Sequence, residues 1–155
     1  MVLSRALLSL WATWFSVVLA SNVADALKEA GILAPTWRFA SGNYSLLAES
    51  VSLYAVSPSG AAILFALVLL LELAAAGLFW RAALVRDPLS PDHRPGILRA
   101  FFTAIVLFGG FLVFDEILLI YGRFPNLETS HFVVLCALLL SVLLIHVLGE
   151  RRTSD

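Results

Sequence analysis

The chain has 155 residues, 61% of them hydrophobic and 14% charged, with a net charge of -1 and a mean hydropathy of +0.95. A water-soluble domain carries about 25% charged residues, so this composition excludes one and makes lipid the solvent. A near-neutral charge with no arginine-rich run among aromatics excludes a nucleic-acid surface, and the lone Cys136, set in an apolar helix, excludes an intrachain disulfide or a CxxC redox pair and reads as a small buried apolar residue.

The first element, Val2 to Ala24, is an apolar run behind Arg5. A signal peptide would have a similar basic start and small residues such as Ala20 and Ser21 near a cut. Trp11 and Trp14 are unlike a signal core, so the reading adopted is a retained first helix. Asp25, Lys28 and Glu29 carry the helix past the membrane surface, and Gly31 and Pro35 stop it. Ser41-Gly42-Asn43 then caps a short helix, Tyr44 to Val56, whose Leu47, Val51 and Tyr54 lie along one face. That spacing fits an amphipathic helix at the interface, serving to anchor and cover, with Trp37, Tyr44 and Tyr54 at headgroup depth.

Pro58-Ser59-Gly60 opens a second span, Ala61 to Leu84, interrupted by Glu72. A linker from Arg86 to Gly96, with three prolines and a glycine, joins it to a third span, Leu98 to Tyr121. A tight turn from Gly122 to Asn126 leads to a fourth span, Ser130 to Leu148, capped by Asn126 or Thr129. The fold class is therefore an all-α integral membrane four-helix bundle in a single transmembrane domain. Its spans lie at about 3–24, 61–84, 98–121 and 130–148, and an outer-face interfacial helix at about 44–56 sits between the first two.

Orientation follows from the ten basic residues. Arg5, Arg81, Arg86, Arg94, Arg99, Arg151 and Arg152 fall on one side, and Lys28, Arg38 and Arg123 on the other. The excess places both termini in the cytoplasm, in what is expected to be a bacterial inner membrane.

The intramembrane carboxylates Glu72, Asp115 and Glu116 carry the chemical question, because a charge at the bilayer centre costs at least about 2.5–3.5 kcal/mol. At 1.5 Å per residue, Glu72 comes within about 3 Å of the midplane, with Asp115 and Glu116 roughly 7–9 Å towards the outer side. Adjacent residues point about 100° apart on a helix, so Asp115 and Glu116 cannot face one groove. Gly109, Leu112 and Glu116 share a face, as do Leu69, Glu72 and Ala76, and small residues let membrane helices approach closely. The expectation is that Glu72 and Glu116 point inward and Asp115 faces the bundle edge or a partner.

Three uses of these acids are open: interhelical ties, a proton or cation path, or a metal site. For the last, His131 starts the fourth helix near Glu116, but no HxxxH or ExxH pair accompanies it. His146, one turn from the end of that helix, is expected to meet headgroups or a linker carbonyl. No serine-nucleophile motif, phosphate loop or paired histidines support nucleophilic catalysis, so an enzyme is the less expected class.

Asn22-Val-Ala-Asp25, then Glu72 followed by Leu-Ala-Ala-Ala-Gly77, then Gly-Gly-Phe-Leu-Val-Phe-Asp-Glu116 together resemble the small integral membrane proteins known as domain of unknown function 2165. The resemblance covers nearly the whole chain. It implies four spans with an extended outer segment after the first, and it marks Asn22, Asp25, Glu72 and Glu116 as family-type polar positions. It implies no activity. The expected function is a small accessory subunit of a membrane complex, meeting the lipid bilayer and other membrane subunits or further copies of itself. The alternatives are a proton-coupled small transporter and a metal- or quinone-handling protein.

Overall fold

The computed structural model describes residues 2–120, 124 and 126–154, the stretch 151–154 as backbone alone. Among them are five helices and no strand: α1 (Val2–Glu29), α2 (Asn43–Ser52), α3 (Pro58–Leu84), α4 (Arg94–Ile117) and α5 (Leu127–Ser154). Four of these, all but α2, contain stretches long and apolar enough to cross a membrane. Tyr121, the turn at Gly122 and Arg123, and the side chains of Arg151 and Arg152 lie outside the described residues.

Each of the first three long helices carries one narrow inward stripe. On α1 it runs Ser4, Leu8, Trp11, Phe15, Asn22 and Asp25; on α3, Ala61, Phe65, Glu72, Ala75, Phe79 and Ala82; on α4, Ile97, Phe101, Ala104, Phe108 and Asp115. Steps of three and four residues repeat along all of them, the spacing of helices that stay in contact over many turns. The alanines of α3, Ala75, Ala76, Ala82 and Ala83, are at most 5% exposed, which is how the backbones come close without cavities. Outward side chains such as Leu70, Leu73, Phe102 and Leu140 are exposed and apolar, as a lipid-facing surface requires.

The centre of the bundle is aromatic. Phe15 of α1 lies parallel to Phe79 of α3 at 5.6 Å, and Phe79 meets Phe101 of α4 edge-on at 4.9 Å. Trp14 packs edge-on against Phe15 at 4.9 Å and reaches Phe108 of α4 at 5.7 Å. Such geometries add about 0.5–1.5 kcal/mol per pair beyond burial. The polar edges are satisfied as well. Trp11 Nε1 donates to Ser141 Oγ of α5 at 3.0 Å, and Trp80 Nε1 to Ser16 Oγ of α1 at 3.0 Å.

The two ends differ. At the end holding the start of α1, an Arg5 guanidinium nitrogen donates to the carbonyls of Val85 and Arg86 at 3.0 and 2.8 Å. These carbonyls lie just beyond α3, where a cation complements the helix dipole. Arg94, opening α4, meets His146 Nδ1 of α5 at 2.7 Å, rather than the headgroup or linker carbonyl expected for that histidine. The amino terminus, the α3–α4 linker and the end of α5 therefore share one end. The opposite end holds the α1–α2 loop, α2 and the start of α5.

Boundaries shift where capping chemistry overrides the hydropathy pattern. α1 closes at Gly31, whose φ of 70° allows its N–H to reach Lys28 O at 3.0 Å while Ile32 N reaches Leu27 O at 2.9 Å. α3 starts three residues before the expected Ala61, because Ser57 Oγ accepts from Gly60 N at 3.2 Å and Pro58 fits the first turn. α4 likewise starts at Arg94, not Leu98, since Pro95 occupies its first turn without losing a bond. It ends at Ile117, short of the expected Tyr121, where Leu118 N bonds Phe114 O and Leu119 takes a φ of 51°. α2 covers 43–52 rather than 44–56, and α5 continues through Gly149 to Ser154 instead of stopping at Leu148.

Candidate functional site

Of the four candidate acids, Asp25, Glu72 and Asp115 fall into two buried groups and Glu116 is exposed. The first group joins α1, α2 and α3. Glu72, 3% exposed, accepts at Oε1 from Asn22 Nδ2 at 2.6 Å; Asn22, 2% exposed, in turn accepts at Oδ1 from Asn43 Nδ2 at 2.9 Å. Asn43 is exposed, so a continuous set of side-chain bonds runs from the surface to the middle of α3.

Asp25 completes this group one turn along α1 from Asn22. Its Oδ2 accepts from the Tyr44 backbone N–H at 2.7 Å and from Ser41 Oγ at 3.2 Å. Ser41 Oγ also accepts from Asn43 N at 3.1 Å. The N-cap residue of α2, Gly42, has no side chain to offer, so a carboxylate from another helix serves its free N–H groups and its positive end. α2 is thereby stitched to α1 at its start. Tyr44 packs edge-on to Phe65 of α3 at 5.4 Å, and Tyr54 donates its hydroxyl to Ile117 O of α4 at 2.8 Å just past its end. With Val51 buried against Ala61, Leu118 and Ile120, the short helix closes this end of the bundle.

Within this group Glu72 Oε2 is buried and has no hydrogen-bond partner among the described residues. Leaving such an atom unpaired costs about 1–3 kcal/mol, so the position is one where a proton, a water or a cation would be accommodated.

The second group joins α4 and α5. Asp115, 2% exposed, holds His131 Nδ1 at 2.7 Å through Oδ2. The His131 ring lies nearly parallel to Phe111 at 4.7 Å and edge-on to Phe108 at 6.1 Å. These contacts fix one face and one nitrogen of the imidazole.

This reverses the sequence expectation for the adjacent acids. Asp115, assigned to the edge or a partner, faces the interior; Glu116, assigned to the interior, is exposed beside the exposed Val113, Phe114 and Ile117. The inward stripe of α4 places Asp115 in register with Phe101, Phe108 and Phe111, one residue away from the Gly109 face. Gly109 marks no close approach, since a Cβ added there would meet nothing within 4 Å. The signal that identifies Asp115 is the repeat Ile97, Phe101, Ala104, Phe108, Phe111, carried one turn further.

The metal constellation changes accordingly. His131 pairs with Asp115 and not with the exposed Glu116, and among the described residues no three His, Cys, Asp or Glu side chains gather as metal ligands. Cys136 is half-buried on α5, not in the core. No protein-family model matches the chain, and no curated protein and no solved structure matches it either.

Proposed function

We propose that the protein is a small non-catalytic subunit of a larger membrane assembly, its four spans forming a rigid bundle that docks beside other membrane chains. The observation that carries this is the division of labour among the acids. Glu72 and Asp115 are engaged in helix-to-helix ties, whereas Glu116 stands exposed on α4 among exposed apolar side chains. An exposed carboxylate in the last turn of a helix is disfavoured by the helix dipole and gains from a cation or amide on a neighbouring helix. The resemblance to domain of unknown function 2165 belongs with this reading, since it implies four spans and no activity. The excess of arginines at the end shared by the termini supports a cytoplasmic location for that end, in a bacterial inner membrane.

Gentle-detergent purification followed by identification of co-migrating chains tests the proposal. Glu116→Lys is expected to release the partner while leaving the thermal midpoint of the isolated chain unchanged. A monodisperse particle of this chain alone, supporting pH-dependent transport in liposomes, overturns it.

That outcome would favour the second reading, proton exchange at Glu72, for which the unpartnered Oε2 and the bonded path to exposed Asn43 speak. Under it, Glu72→Gln abolishes transport with the fold intact. The metal- or quinone-handling alternative rests on His131, whose Nδ1 is already committed to Asp115.

A further inference from the structure

Two shallow hollows adjoin each other on the surface of α4 at the end shared by the termini, with Leu98 common to both. The larger, about 430 Å³, is formed by Leu98, Arg99, Phe101, Phe102, Ile105 and Val142 between α4 and α5. Its walls are hydrocarbon apart from Arg99, and its rims, Leu98 and Phe102, are 51% and 68% exposed. The smaller, about 310 Å³, includes Arg94, Pro95 and Gly149.

Arg99 lies five residues into α4, about 7.5 Å along the axis from Arg94, among side chains that face lipid. Its side chain is exposed and has no hydrogen-bond acceptor or ion-pair partner among the described residues. A guanidinium at that depth snorkels towards the headgroups and draws a counter-charge to itself. Arg94 adds a second positive group, positioned by His146 Nδ1 at 2.7 Å; the nearby Glu150 is engaged by His146 Nε2 at 3.0 Å. Among the described residues no acidic side chain lines either hollow.

The geometry points to a binding site for one anionic phospholipid, with an acyl chain in the hydrocarbon groove between α4 and α5, the phosphate on Arg99, and Arg94 adding positive charge from the adjoining hollow. The apolar groove accepts any acyl chain. The positive charge is what selects a headgroup with net negative charge over a zwitterionic one that carries the same phosphate.

The test is native mass spectrometry of the full chain from mixed micelles holding phosphatidylglycerol and phosphatidylcholine of matched acyl chains. Wild type should retain phosphatidylglycerol in preference, and Arg99→Gln should lower that preference about fivefold, the effect of one arginine near a charged surface. Arg99→Lys should keep most of it. Arg38→Gln, an exposed charge on the α1–α2 loop at the opposite end, should leave it unchanged. Equal retention of the two lipids by wild type overturns the proposal, as does a preference that survives Arg99→Gln or falls as far with Arg38→Gln.

Discussion

Asn22→Leu is the most informative single substitution in this molecule. Asn22 donates to Glu72 at 2.6 Å and accepts from Asn43 at 2.9 Å, and leucine of similar size fills the same space while making neither bond. Interhelical hydrogen bonds in membranes average about 0.6 kcal/mol and reach about 1.7 kcal/mol, which puts the two bonds near 1–3 kcal/mol. The larger effect is on Glu72: with Oε2 already unpartnered, losing the Asn22 amide leaves the whole buried carboxyl unpaired, adding about 1–3 kcal/mol. The expected loss is therefore about 2–6 kcal/mol, read from unfolding in mixed dodecylmaltoside and dodecyl sulfate micelles. Combining it with Glu72→Met removes both polar partners together and should bring stability back to within about 1 kcal/mol of wild type. A cost below about 1 kcal/mol for Asn22→Leu alone, or no recovery in the double variant, would refute the claim that Asn22 neutralises the burial of Glu72.

The second buried pair behaves in the same sense. His131→Ala strands Asp115, 2% exposed, and should destabilise by about 3 kcal/mol in that titration, with His131→Ala/Asp115→Ala less harmful than the sum of the single changes. Ser57→Ala removes the hydroxyl that accepts from Gly60 N and should cost about 1 kcal/mol, visible as a lowered thermal midpoint.

Much of the architecture is readable from the sequence because lipid demands unbroken apolar helices, and the four long runs announce themselves. The covering helix is legible for a different reason: Leu47 and Val51 lie one turn apart between turn-forming stretches. What the hydropathy pattern does not carry is rotation about the helix axis. Asp115 and Glu116 are equally acidic and adjacent, and Gly109 draws attention to the wrong face, whereas the phase is set by the aromatic stripe through Phe101 and Phe108. The helix starts at Pro58 and Arg94 depend on caps and first-turn prolines that a polarity window reads as linker. The partnership of Asp25 with α2 is harder still, because the carboxylate serves the N-terminus of a helix from outside its own segment.

The bond between Asn22 and Glu72 also sets a schedule for making the protein. The two residues stand 50 positions apart. At ribosomal speeds of about 5–20 residues per second, roughly 3–10 s separate their synthesis. During that interval the Asn22 amide has no Glu72 to receive it, whereas Ser41 and Tyr44, the partners of Asp25, and Asn43, the other partner of Asn22, arrive earlier. Glu72 is the last member of this group to be made, so the contacts of α1 with Asn43 and Tyr44 are available before the carboxyl that completes the set of bonds.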